Sequence, residues 1–489
     1  MNIPTVVSVL AAIVGIAVSF MILPLFVAIF YGETLACHVF AWVMSGGLFL
    51  CGATYVAMRR LARYDKRPRG LSPRDGFVTV TLSWVFVSLF GALPFLFSGA
   101  IPSLADAYFE TMSGFTTTGA SILTDIESLP RSLLFWRALT QWLGGMGIVV
   151  LVVAVIPLLG IGGVQLLEAE APGPSVDKVA PRIKDTAKLL WLLYLGFTAL
   201  ETILLWAGGM SPYDALTHTF TTLSTGGFSV RNASLGAYPG AYLQWVVTIF
   251  MLIGGTSFSI FFLLYRGRLG DIWRNSEWRA YLLIFFLTTL FIVIELSARG
   301  LYGSLGDDIR HAAFQVASIM TTTGYATADF SLWPHFSQMV IFFLMFVGGC
   351  AGSTGGGIKV IRLVALLKLS LNEMRYLLHP RGVFTLTLDG RPVRKDLMYG
   401  IVGFFFLYVF FVLITTLVVA TANYDLSTSL TTALATVGNI GPGLSLVGPM
   451  ANYSHFPDHV VWWLSFAMLA GRLEIYTVFV IFSGLFWRR

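Results

Sequence analysis

The sequence predicts an all-α integral membrane protein. Ten transmembrane helices are expected, with four helix–pore-loop–helix repeats in a pseudo-fourfold arrangement around one pore, plus an N-terminal helical hairpin. Composition is the first observation behind this. The 489 residues are 56% hydrophobic and 11% charged, with a mean hydropathy of +0.78, whereas soluble domains carry about a quarter charged residues. Such a chain has too little polar surface to face water and must be solvated mostly by membrane lipid. The second is a series of apolar runs near the length of about 20 residues that a bilayer crossing needs. The third is repetition: four short amphipathic segments, about a hundred residues apart, each end in a glycine-containing turn and precede a long apolar stretch.

Crossings are expected near residues 4–30, 36–58, 76–98, 133–159, 187–209, 237–265, 279–298, 335–368, 398–421 and 457–486. The first run lacks a basic n-region and outlasts a signal-peptide h-region, so it reads as a spanning helix. The first two runs and a basic loop make the hairpin unit 1–70, and the repeats follow at 71–168, 169–268, 269–390 and 391–489. Inside each repeat lies a segment too short to span. Its N-cap is Ser103, Ser211, Ser304 or Asp425 in turn, and Pro212 takes the first helical position of the second. Non-helical backbone at membrane depth is tolerated only where protein buries it or water lines it, so the four turns are expected to face a central pathway.

Positive charge sets the orientation. Arg59, Arg60, Arg63, Lys66, Arg67, Arg69 and Arg74 crowd one loop; Arg266, Arg268, Arg274 and Arg279 a second; Lys359, Arg362, Lys368, Arg375, Arg381, Arg391, Arg394 and Lys395 a third. The positive-inside rule makes these loops cytoplasmic, together with Arg488 and Arg489. Both termini then lie inside and the short segments enter from outside. Loop orientation and anionic lipid account for the net charge of +6, so no nucleic-acid partner is implied. Cys37, Cys51 and Cys350 are isolated thiols with neither ligand nor disulfide spacing.

The turns carry the chemistry. They are Thr117-Thr118-Gly119, Ser224-Thr225-Gly226, Thr322-Thr323-Gly324 and Thr436-Val437-Gly438. Backbone carbonyls in such turns replace water around a potassium ion, and glycine lets the backbone take conformations that a Cβ resists. The fourth turn offers two registers for its glycine; Gly438 is preferred, with Asn439 as an extra ligand. Each inward-running half-helix aims its negative end at mid-membrane, favouring a cation by about 0.3–2 kcal/mol. The expected cargo is potassium, with rubidium as its surrogate, and no organic cofactor is expected.

At these residues a family resemblance emerges. Phe115–Ser121, Ser224–Ser229, Thr321–Thr327, Gly348–Lys359 and Gly438–Gly443 resemble the signature segments of the Trk/Ktr/HKT superfamily of potassium transporters, over the chain from about residue 70 to its end. The extra N-terminal hairpin resembles the TrkH-type bacterial uptake subunit more than the shorter Ktr type. The resemblance implies a bacterial inner-membrane homodimer with one pore per subunit, gated by a cytosolic nucleotide-binding ring. It also implies potassium selectivity, because Gly119 stands where sodium-permeable plant relatives carry Ser.

Two further features fall inside the expected pore. Gly348, Gly349, Gly352, Ser353, Thr354, Gly355, Gly356 and Gly357 interrupt the eighth crossing. Each glycine costs a helix about 1 kcal/mol relative to alanine, so an intramembrane loop is expected over 348–357. Close packing through small residues explains a pair of glycines rather than six. The resemblance places this loop below the filter as a gate. Arg472 lies deep in the last crossing, where a lone Arg costs at least about 2.5 kcal/mol. It is either a buried partner of Glu110 or Glu201 or, as the resemblance implies, a positive barrier below the filter. Lys359 either touches the loop or a partner, or snorkels to the interface. Glu110 and Asp425 either draw cations to the outer vestibule or cap and pair locally.

Two other function classes fit the sequence less well. An ion-coupled symporter for potassium with protons or sodium needs ionisable residues strung along the spans, and apart from Glu201, Glu295 and Arg472 the spans are nearly bare. A membrane-embedded metal enzyme would need clustered ligands. Of the seven histidines only His455 and His459 stand four apart, and Pro457 interrupts their register. Gly355–Lys359 lacks the Gly-Lys-Ser/Thr ending of a Walker A loop, so ATP hydrolysis is not expected, and with transport the favoured reading the chain is not expected to be an enzyme.

Overall fold

The computed structural model describes residues 1–64, 72–147 and 183–488. Six of its helices or helix pairs are long and apolar enough to cross a bilayer: Ile3–Tyr31, Thr34–Ala62, Pro73–Phe97, Leu189–Ala207, Ser276–Arg299 and Lys395–Ala420. Two further pairs pass the same test but are sharply bent. By length and composition, six helical runs among the described residues are long and apolar enough to cross, or eight with each bent pair taken as one run, where the sequence leads to an expectation of ten. The expected crossing 133–159 is described only to Gly147, as Arg131–Gly145, and its remainder lies outside the described residues, as do Lys66, Arg67, Arg69 and Arg489. The expected crossing 335–368 is broken into His335–Leu344 and Val360–Leu378 around the glycine-rich segment.

Two helical runs pack against each other at the N-terminus. The first comprises Ile3–Ser19 and Ile22–Tyr31, and Thr34–Tyr64 returns alongside it. Polar groups lock the pair to the rest. Asn2 donates its N–H to Asp75 at 3.2 Å, and Asp75 also closes the capping box with Ser72 that starts Pro73–Phe97. Glu33 accepts from the N–H groups of Arg131 and Ser132 at 2.7 and 3.1 Å, capping a helix whose own N-cap, Pro130, has no side-chain acceptor.

A long helix, a short helix and a second helix then recur four times. The short helices are Leu104–Phe115, Pro212–Leu223, Leu305–Met320 and Leu426–Val437. Ser103, Ser211, Ser304 and Asp425 cap them, each side chain accepting an N–H from three residues on. The layering is that of a membrane protein. Short-helix residues such as Phe109, Ala215, Phe314 and Ala433 are fully buried, whereas the long helices present Phe286, Phe406 and Leu417 outward.

Two expected straight crossings are instead bent. Ala241–Gly254 meets Phe258–Tyr265 at 95°, and Asp458–Arg472 meets Tyr476–Phe482 at 116°. Each bend has an identifiable cause. At the first, Gly255 fits against the Tyr281 hydroxyl and Thr321, where a side chain would collide. At the second, Glu474 and Ile475 both take positive φ, 55° and 59°. A two-stranded antiparallel hairpin, Thr387–Leu388 with Arg391–Pro392, turns through Asp389-Gly390. It packs over a small apolar cluster of Ala365, Met398 and Ile401, separate from the main core.

Candidate functional site

The four short helices end in one hydrogen-bond pattern. After the C-caps Thr116, Ser224, Thr321 and Gly438, the next N–H bonds back three residues: Thr117 to Gly114, Thr225 to Thr222, Thr322 to Ile319 and Asn439 to Thr436, at 2.9–3.2 Å. The following N–H bonds back five residues: Thr118 to Ser113, Gly226 to Thr221, Thr323 to Ser318 and Ile440 to Ala435, at 2.8–2.9 Å. Thr117, Thr225, Thr322 and Asn439 have φ of 52–59°, and Gly119, Gly227, Gly324 and Gly441 follow two positions later with φ of 78–97°. Repeated dihedrals and repeated bonds define one register for all four turns.

That register corrects two sequence-based alignments. The counterpart of Gly119 is Gly227 rather than Gly226, and in the fourth turn it is Gly441 rather than Gly438. Gly438 is a helix C-cap with φ −78°, while Thr436 and Val437 belong to the helix itself. Both turns contain several glycines, so spacing alone could not identify the left-handed one.

The turns interlock head to tail. A Cβ built on Gly119 would fall within 3.0 Å of the Gly226 carbonyl oxygen; on Gly227, of that of Thr323; on Gly324, of that of Ile440; on Gly441, of that of Thr118. The succession returns to its start. Thr118, Gly226, Thr323 and Ile440 thus place four carbonyls in a closed ring, each against the glycine of the preceding turn. No side chain fits at those glycines.

Side chains from a second helix, from the turns themselves and from the loop before Asp458–Arg472 brace the ring. Gln141 donates Nε2–H to the Gly226 carbonyl at 2.6 Å and accepts the Phe228 N–H at 3.0 Å. Asn439 donates to Thr118 Oγ1 and to the Met468 carbonyl, both at 2.9 Å, and Tyr453 donates its hydroxyl to the Gly441 carbonyl at 2.6 Å. Glu110 pairs with Arg137 at 2.5 Å while accepting from Ser121 and the Ile122 N–H, and Arg137 reaches the Ser229 carbonyl at 2.8 Å. Glu110 therefore pairs locally, and Asp425 caps its helix through Thr428. The sequence does not single out Gln141, Arg137 or Tyr453, because nothing in it shows which carbonyl or carboxylate each one meets.

The family of cation transport proteins named TrkH matches this chain over residues 48–489. The chain belongs to that family. It is 40% identical to the Trk system potassium uptake protein TrkH of Escherichia coli K12 over 429 residues, 87% of this chain and 88% of that one. The Trk system potassium uptake protein TrkI of Halomonas elongata is 38% identical over 99% of this chain and 97% of its own length. The crystal structure of the potassium transporter TrkH from Vibrio parahaemolyticus superposes with a TM-score of 0.86 at 34% identity, covering all of both chains. These TrkH-family relatives are named as transporters rather than enzymes, and the chain is a multi-pass integral membrane protein.

Beneath the ring this TrkH-family chain holds its glycine-rich segment in a non-helical loop. Freed backbone groups find partners in the 95° bend: the Cys350 N–H bonds the Gly255 carbonyl at 2.8 Å, and the Thr354 N–H bonds that of Gly254 at 3.2 Å. Gly356 donates its N–H to Thr322 Oγ1 at 2.7 Å, and Thr225 and Thr354 share a hydroxyl bond at 3.2 Å, so the loop touches two of the turns. Glu110 takes Arg137 as its ion-pair partner, and Arg472 turns to backbone acceptors. It donates to the carbonyls of Thr354 and Gly144, both at 2.7 Å, and of Gly145 at 3.3 Å. Lys359 and Arg362, counted with a cytoplasmic loop from sequence, are buried: Lys359 bonds the Gly355 carbonyl and Arg362 pairs with Glu474. Lys359 is thus a loop contact.

Three more glycines matter that spacing did not flag. Gly144, Gly254 and Gly471 each sit against the last carbonyl of a short helix, those of Phe115, Leu223 and Val437. Their signal was present as one glycine at the same place in three of the second helices. Pro457 is the N-cap of Asp458–Arg472, so His455 lies outside the helix that carries His459, and His459 faces the Thr421 hydroxyl at 3.2 Å. The described residues contain no group of three His, Cys, Asp or Glu side chains able to hold a metal.

Proposed function

We propose that this chain carries potassium ions into the cell through the carbonyl ring, by channel-like permeation. The closed head-to-tail contact of the four turns supports this reading, because it brings a main-chain oxygen of each turn against its neighbour in an unbroken cycle. The relatives' names support the choice of ion. Ion ligands are assigned to Thr117, Thr118 and Gly119; Ser224, Thr225, Gly226 and Gly227; Thr322, Thr323 and Gly324; and Gly438 to Gly441. The C-terminal ends of the short helices converge there, each favouring a cation by about 0.3–2 kcal/mol. Potential supplies the driving force, since 100 mV is worth about 2.3 kcal/mol per charge.

The glycine-rich loop 348–357 is the gate and Arg472 its restraint, a role supported by the three carbonyls that Arg472 bonds. Repeat boundaries, cytoplasmic termini, an inner-membrane location, a homodimer and a cytosolic nucleotide-binding ring belong to the same proposal. Rubidium and sodium flux into liposomes carrying the purified protein tests it. Rubidium should enter in preference to sodium, and Gly119→Ser should erase the preference. Wild-type vesicles that admit both ions equally would refute the potassium assignment.

A further inference from the structure

The loop is tied on two sides. Thr322 and Thr225 hold it from the ring and Arg472 from the end of Asp458–Arg472, and one carboxylate oxygen holds it from the other side. Glu277 Oε1 accepts the Ala351 N–H at 2.7 Å and the Ile361 N–H at 3.1 Å. Those residues flank the segment 352–360, so a single atom fixes the distance between its two ends. Glu277 is buried, at 6% exposure, in the first turn of Ser276–Arg299.

The residue before it is bonded in turn. Asp389, at the exposed tip of the small hairpin, accepts the Ser276 N–H at 2.7 Å. The same hairpin is anchored to the helix leaving the loop: Lys368 donates to the Thr387 carbonyl at 3.0 Å, and Leu386 and Leu388 pack over the Ala365 cluster. A closed mechanical circuit results. It runs from the loop along Val360–Leu378, through the hairpin to Ser276, and back through Glu277 to the loop. Its apolar cluster is separate from the main core, so the hairpin can shift without repacking the bundle.

We propose that Glu277 is the latch of the glycine-rich loop and the hairpin Thr387–Pro392 its handle. A protein bound on the cytoplasmic side that displaces the hairpin pulls Ser276 and Glu277 away, and the loop loses the clamp that joins its ends. Glu277 is a positioning residue, since it touches the loop and not the ring. The proposal rests on reading the loop as the gate.

Rubidium and sodium flux into liposomes carrying the full chain tests it, with thiol labelling of Cys350, a loop residue at 1% exposure. Glu277→Ala should raise rubidium flux about tenfold, the factor that loss of charge-assisted hydrogen bonds gives. The rubidium-to-sodium ratio should not change, and Cys350 should become reactive to a maleimide. Glu277→Gln should restore both flux and protection, because its amide oxygen accepts the same two N–H groups. Asp389→Gly keeps the positive-φ turn and removes the carboxylate; a rise in flux smaller than that of Glu277→Ala is expected.

Unchanged flux and unreactive Cys350 in Glu277→Ala would overturn the latch, as would a Gln variant as leaky as the Ala one. Unchanged flux in Asp389→Gly would overturn the handle, and that exposed substitution remains informative if Glu277→Ala does not fold. Arg472→Ala separates the two readings. A rise there alone overturns the latch, whereas no rise in either variant overturns the gate itself.

Discussion

The carbonyl oxygen of Gly226 lies against the α-carbon of Gly119, within 3.0 Å of where a side chain would begin. The adjacent Gly226 and Gly227 then become distinguishable by substitution. Ala at Gly227 would face φ +78° and the Thr323 carbonyl, a cost of about 1–2 kcal/mol from conformation alone plus a backbone collision. Ala at Gly226 would meet only the end of the Gln141 side chain. Gly227→Ala should therefore abolish rubidium selectivity in liposome flux, while Gly226→Ala should retain part of it. Equal loss in both would refute the register.

Much of this was legible in the sequence. Ser103, Ser211, Ser304 and Asp425 stand as caps because capping is a local bond within three residues. The glycine-rich break was visible because six glycines exceed what a helix interior tolerates. Register was not legible, since Gly226-Gly227 and the glycines from Gly438 to Gly443 each offer alternatives that only the neighbouring turn decides. Arg472 and Lys359 could not be matched to partners, because their acceptors are backbone carbonyls, which every residue has. The Asp389-Gly390 turn did carry a hairpin signal, but its strands are only two residues long.

Arg472 bridges the loop and the C-terminal end of Arg131–Gly145 by reaching Thr354 and Gly144 at once. A planar guanidinium can span two such acceptors, whereas a lysine ammonium is a point donor. If bridging holds the gate, Arg472→Lys should raise rubidium flux nearly as far as Arg472→Ala. A Lys variant as tight as the wild type would assign the effect to positive charge alone.

Glu110 and Arg137 form an ion pair with side chains 0% and 3% exposed, tying the first turn to the Ser229 carbonyl of the second. Removing one partner of a buried pair leaves the other uncompensated and costs about 3–5 kcal/mol. Glu110→Ala and Arg137→Ala should each lower the unfolding midpoint in detergent, and the double variant should lose much less than the sum. Additive losses would mean that the pair is not coupled.

Glu201 is the carboxylate that a proton-coupled mechanism would use. It is fully buried on Ile183–Ala207, which packs against the second short helix. The zero-flux potential separates coupling from simple permeation. A tenfold gradient is worth about 1.4 kcal/mol, which equals about 60 mV on one charge. A one-to-one potassium–proton symporter moves two charges, so a one-unit pH step would shift its zero-flux potential by about 30 mV. Channel-like uptake predicts no shift, in the wild type or in Glu201→Gln. A shift of that size in the wild type, lost in Glu201→Gln, would establish symport and assign the proton to this side chain.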